Sequence, residues 1–173
     1  MRTPPDLQDL SALADESFAL VVSEGDPLSF VEDPLRALRE IARTLRSGGV
    51  LTASVDHFAA GLRHFLERGD LDGLERFARS GRTEWLAERR EERFSMRMFR
   101  LGDLEKGVAQ AGLTMLEARG RTVLPLREFG ALLEDSATRR RLLDLERDLS
   151  SDRSLAGAAS HLFFAARKPA AGA

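Results

Sequence analysis

Two short β-prone runs, Phe18-Ala19-Leu20-Val21-Val22 and Val50-Leu51-Thr52-Ala53-Ser54-Val55, flank a single one-faced helical stretch. Few folds admit this pattern. The first run has no polar alternation, so it reads as a strand buried on both faces of a parallel sheet. After Gly25-Asp26-Pro27, which breaks the chain, Asp33 is placed to cap a helix whose first position is Pro34. Leu35, Leu38, Ile41, Ala42 and Leu45 recur at three- and four-residue spacing and form one apolar stripe. Ser47-Gly48-Gly49 is the expected helix stop, with glycine free to take the left-handed conformation. Strand, crossover helix and strand make a βαβ unit, which is right-handed and parallel.

The segment from Asp56 to Met98 reads as a charged helical insertion. It carries two short stripes, Leu62, Phe65, Leu66 and Leu71, Leu74, Phe77, broken near Gly69-Asp70. A helix is expected from about Asp103 to Ala111, ended by Gly112, and a strand over Leu113 to Ala118. Ser136 is expected to cap a helix that buries Leu142, Leu143, Leu145 and Leu149. Ser160 to Arg167 reads as the closing strand, and residues 168–173 as a disordered tail rich in small residues. The reading is one α/β domain over residues 1–173, with residues 56–98 as a lid within it.

Composition narrows the function more by exclusion than by indication. A net charge of −2 gives no electrostatic reason to expect nucleic acid or an anionic membrane as partner. With no cysteine there is no disulfide, zinc-thiolate site or cysteine nucleophile, which fits a reducing cytoplasm. His57, His64 and His161 have no common metal-ligand spacing. Met1-Arg2-Thr3-Pro4-Pro5 lacks the apolar stretch of a signal peptide, and no run of residues has the length of a membrane helix. A cytoplasmic location is the expectation.

The order of these pieces resembles the second half of a class I S-adenosylmethionine-dependent methyltransferase of the type 11 kind. Asp6 to Phe18 resembles the family's stretch after its third strand, where an acidic residue precedes a small or apolar one. Ser23-Glu24-Gly25-Asp26-Pro27-Leu28-Ser29-Phe30 is similar to the loop after strand four. Ala37 to Leu51 resembles the helix that ends in a Pro-Gly-Gly turn and enters strand five. Met98-Phe99 to Gly112-Leu113 is similar to the helix before strand six. Ala14, Ala19 and Ser47 depart from the family's usual proline, aspartate and proline.

The resemblance implies a Rossmann-like sheet of which this chain holds strands equivalent to 4-5-7-6, the one equivalent to seven antiparallel. It implies S-adenosylmethionine as cofactor and a small-molecule methyl acceptor as partner. Methyl transfer from a sulfonium depends mainly on in-line positioning, so no fixed catalytic residue is expected. Asp6 would accept from the adenine amino group and Leu7 would lie against the ring. Ser23, Glu24 and Gly25 would line the methionine end, and Asp26, His57 and Trp85 the acceptor side.

The family's glycine-rich turn after strand one and its ribose-binding acid are not found in residues 1–17. The strand at Phe18 is therefore expected at a sheet edge, with unpaired backbone groups. On that expectation the chain is part of a longer protein, or another chain supplies the missing strands, or it pairs with itself. A non-catalytic module that docks through this edge is the alternative to an enzyme. An unrelated nucleotide-binding α/β domain would share the βαβ unit.

Overall fold

The computed structural model of the chain describes residues 6–84 and 93–170. Strand β1 (Phe18–Ser23) leads through a short helix α1 (Pro27–Phe30) to α2 (Pro34–Thr44), and then to β2 (Leu45–Asp56). The Asp33 carboxylate accepts hydrogen bonds from the Leu35 and Arg36 amides at 3.0 and 3.1 Å, so the cap forms where the sequence places it. Pro34 follows at the first helical position. Ala37, Leu38, Ile41, Ala42 and Leu45 are buried, whereas Leu35 is only partly so.

The helix ends earlier than its glycines suggest. Leu45 is already extended, and its amide donates to the Ile41 carbonyl. The glycine pair instead shapes an irregularity inside β2, where pairing with β1 jumps from Phe18–Leu45 to Leu20–Val50. Gly48 has a φ of 75°. A Cβ on Gly49 would lie 2.8 Å from the Arg46 carbonyl oxygen and 3.1 Å from that of Phe18. Backbone packing that close leaves room only for glycine.

The chain then makes an excursion. Helices α3 (Phe58–Glu67) and α4 (Leu71–Ser80) are followed by a hairpin of β3 (Arg82–Glu84) and β4 (Ser95–Arg97). The stretch expected to be helical thus also contains a small antiparallel pair. Phe58, Phe65 and Phe77 form a separate core here, with Phe58 and Phe77 stacked at 4.8 Å. The ends of the excursion meet at the sheet, since Phe99 donates to the Asp56 carbonyl and Phe58 to that of Phe99.

Helix α5 (Leu101–Gln110), β5 (Thr114–Arg121), α6 (Ser136–Ser151) and β6 (His161–Arg167) complete the chain, with 3₁₀ turns on either side of α6. The sheet runs β1-β2-β6-β5, with β1 parallel to β2 and β6 antiparallel to both neighbours. This is the expected 4-5-7-6 arrangement. Leu51, Ala53 and Val55 of β2 and Leu162, Phe164 and Ala166 of β6 point into one core with α2 and with Leu104 and Val108 of α5.

Four expectations fail. Phe18, Leu20 and Val22 are 38, 54 and 61% exposed, because β1 is the edge strand and no described element covers that face. Only Val21, on the α2 side, packs against the core. Asp135, not Ser136, caps α6 by accepting from the Thr138 amide. That helix buries none of its residues, and Leu143 and Leu145 are exposed. Lys168, expected in a disordered tail, instead donates through its ammonium to the Leu45 carbonyl at 2.7 Å, and its backbone pairs with Gly48 and Gly49.

The Asp33 cap is testable alone. Asp33→Ala leaves two amides at the start of α2 without their acceptor and should cost about 1 kcal/mol in urea denaturation.

Candidate functional site

Open α/β sheets bind ligands beyond the carboxyl ends of their parallel strands. Here β1, β2 and β5 end together, and β6 begins among them. At that point a crevice of about 300 Å³ is lined by Glu24, Gly25, Asp26, Ser54, Arg121, Thr122 and His161.

Sheet register assembles it. Asp56 and Arg121 are both paired with His161, one across each side of β6. The loop after β1 is drawn in by the Ser54 hydroxyl, which accepts from the Gly25 and Asp26 amides, both at 3.1 Å. Asp26 itself is left-handed, with a φ of 62°. The buried Ser29 hydroxyl accepts from the Asp56 amide at 2.9 Å and fixes the end of β2.

Three side chains converge at the floor. His161 Nδ1 lies 2.9 Å from Asp26 Oδ2 and 3.6 Å from Asp56 Oδ1. The 2.9 Å contact is short but poorly aligned, so it is a charge contact more than a directed hydrogen bond. Burial works to raise the Asp26 carboxyl, but contacts with His161 and Ser54 and the charges of His161 and Arg121 outweigh it, and its pKa falls below the ordinary value. The Asp56 carboxyl is pushed up to about 6, chiefly by burial and then by the Asp26 charge. Asp26 raises the His161 imidazole above its ordinary value by direct contact and by charge, and Asp56 adds to this. At the rim, Glu24 and Arg121 form an ion pair at 2.6 Å.

The residues singled out in the sequence are placed unevenly. Glu24, Gly25 and Asp26 line the crevice. Ser23 is buried beside them, and its hydroxyl has no hydrogen-bond partner among the described residues. His57 is buried away from it. Its Nδ1 is 2.9 Å from the Ala159 carbonyl, and burial holds its pKa below the ordinary value. Asp6 and Leu7 lie outside the crevice lining; Asp6 is exposed, accepting from the Gln8 amide, and Leu7 packs against the core. Trp85 lies outside the described residues. Asp56, Arg121 and His161 carry no spacing signal, since they meet only through strand pairing. Setting the last strand antiparallel against β2 would have brought His161 opposite Asp56.

Residues 4–53 match the family model described as a methyltransferase domain, of type 11. A structure of a Methanosarcina mazei S-adenosylmethionine-dependent methyltransferase matches with 15% identity and a TM-score of 0.60, over 96% of this chain and 66% of that one. Its fold is that of the class I S-adenosylmethionine-dependent methyltransferases. An S-adenosylmethionine-dependent methyltransferase from Mesorhizobium loti matches with 17% identity and a TM-score of 0.53, over 94% of this chain and 67% of that one. The [4+2]-cyclase SpnF matches with 19% identity and a TM-score of 0.52, over 97% of this chain and 55% of that one. The chain thus spans about two thirds or less of the length of these methyltransferase-fold structures. No curated protein matches it. By resemblance, the cofactor of this methyltransferase fold is S-adenosylmethionine. No helix among the described residues is long and apolar enough to cross a membrane.

The shifted carboxyl gives a pH test with a defined sign. A group whose folded pKa lies above its unfolded value stabilises the protein while protonated, and that contribution is lost as pH rises through the folded value. For Asp56 the window runs from 3.8 to about 6. His161 extends the decline upward from 6.5. Asp56→Asn imitates the protonated form. In chelator-containing buffer it should melt above the wild type at pH 8, and the gap should narrow toward pH 4.

Proposed function

We propose that this domain takes part in methylating a small molecule from S-adenosylmethionine, in the crevice where β1, β2 and β5 end. The observation that carries the reading is that Glu24 and Asp26 line one cavity with His161, and that Asp56 lies against Asp26 and His161 behind it. Cofactor and chain are chemically matched there. S-adenosylmethionine brings a sulfonium and an ammonium, and buried anionic or unpartnered acceptors complement both. The Ser23 hydroxyl and Asp26 Oδ1 are such acceptors. Ser23, Glu24 and Gly25 would hold the methionine end, with Asp6 and Leu7 toward the adenine. When bound, the cofactor supplies an electrophilic methyl group.

The acceptor side falls to Asp26, Arg121 and His161. The 38% exposed His161 ring can take up a proton from an acceptor hydroxyl or amine, and Asp26 and Asp56 stabilise the imidazolium that results. The Glu24–Arg121 pair would orient the acceptor by charge. The described part of the 56–98 excursion would cover the acceptor, because both of its ends sit beside Asp56. The cofactor crevice would be completed by polypeptide beyond this chain, in keeping with the share of the related structures that it spans.

An amide-resolved NMR titration with S-adenosylmethionine tests this. Ser23 to Asp26 should shift at millimolar cofactor, and Asp26→Asn should weaken the effect several-fold. Unmoved amides at that concentration would overturn the reading.

A second reading is favoured by the β1 edge, where Phe18, Leu20 and Val22 expose apolar surface beside unpaired backbone groups. Such an edge is a template for pairing, here with a second copy or a partner chain, in a non-catalytic role. Sedimentation should then show a dimer that Val22→Lys dissociates. A monomeric wild type across the micromolar range would end the self-pairing form of this alternative.

A further inference from the structure

We propose that Asp26, Asp56 and His161 form a divalent-cation site at the floor of the crevice. Each offers one ligand atom, and the three atoms lie within 4.8 Å of one another. In an octahedral shell with bonds of about 2.1 Å, neighbouring ligands are about 3 Å apart and opposite ones about 4.2 Å. The two histidine–carboxylate separations, 2.9 and 3.6 Å, already fall in that range. A small inward shift of the carboxylates completes it.

The independent observation is what the donors lack. Asp56 is only 8% exposed, yet its Oδ2 has no hydrogen-bond partner among the described residues. Asp26 Oδ1 is a buried atom in the same condition, and His161 Nδ1 has only its charge contact with Asp26 and no directed hydrogen bond. A buried carboxylate oxygen left unpaired is costly, and a cation held by one oxygen of each carboxylate and by the imidazole would offset the charge that the two acids bury together. The frame is fixed beforehand by the Ser54 bonds to the Asp26 loop, the Ser29 bond at Asp56 and the strand pairing of His161. Arg121 is the cation that would oppose a metal, and Glu24 neutralises it at 2.6 Å.

Two carboxylates and one imidazole suit a borderline-to-hard ion such as Mn²⁺. Three protein ligands leave positions open toward the crevice for water or an oxygen-bearing molecule. The site stands on side-chain geometry alone, so it does not depend on cofactor binding; with an ion bound, His161 is a ligand and the ion's open positions, not the imidazole, face the acceptor.

The probe is Mn²⁺ itself, added to the whole chain after dialysis against chelator, with free Mn²⁺ read by electron paramagnetic resonance. One ion should bind per chain, and Asp56→Asn and His161→Ala should each weaken it at least about ten-fold while circular dichroism shows them folded. No saturable binding up to about 1 mM, the weak end of protein cation sites, would overturn the proposal. So would unchanged affinity in folded Asp56→Asn. If either variant fails to fold, the wild-type NMR spectrum decides. Substoichiometric Mn²⁺ should broaden the His161 ring signals before those of the exposed His64, and the reverse order refutes the site. Cofactor-induced shifts at Ser23 to Asp26 are read separately, so the two ideas can fail independently.

Discussion

Strand β6 lies between β2 and β5 and runs against both, and its register decides what the crevice contains. Side chains on a strand alternate between faces, so a slip of one residue would exchange every core group for its opposite. Leu162, Phe164 and Ala166 are fully buried, and that burial holds the register. Once it is held, His161 falls opposite Asp56 on one side and Arg121 on the other. Apolar packing in the middle of the sheet thus sets the charge arrangement at its end. The opposite end is tied as well, by Lys168 to Leu45 and by the backbone pairs at Gly48 and Gly49.

Polar residues at the crevice divide into those that hold backbone and those that keep free atoms. Ser54 and Ser29 spend their hydroxyls on main-chain amides. Asp26, Asp56 and His161 retain atoms without directed partners. That separation marks the second group as the place where chemistry is available. Fold alone does not name the reaction, since the same architecture is found in a protein called a cyclase.

Much of the architecture was legible because local signals and burial agree. Asp33-Pro34 starts a helix whose apolar stripe then packs on the sheet, and the runs at Phe18, Val50 and Leu162 become strands. Misreadings arose where two local signals competed. Ser47-Gly48-Gly49 resembles a helix stop, but the chain turns extended at Leu45 and uses the glycines where backbones nearly touch. Asp135 and Ser136 are both good caps, and the earlier one won. Leucines of α6 follow a helical stripe, yet α6 lies apart from the main core and leaves two of them in solvent. In the crevice, Glu24, Gly25 and Asp26 could be found from their place after a strand. His161 could be found only by pairing the last strand antiparallel with β2, and Arg121 could not, because their neighbours come from the far side of the chain.

Asp26 shows a conflict between backbone comfort and charge. Its φ of 62° suits glycine or asparagine better than most residues, and there a non-glycine residue carries conformational strain. Replacing it with glycine would relax the turn while removing the anion beside His161. Stability and chemistry therefore select for different residues at this one position. A screen that ranks variants of this chain by thermal tolerance alone would tend to discard the carboxylate at position 26 and leave a sturdier domain with a disarmed crevice.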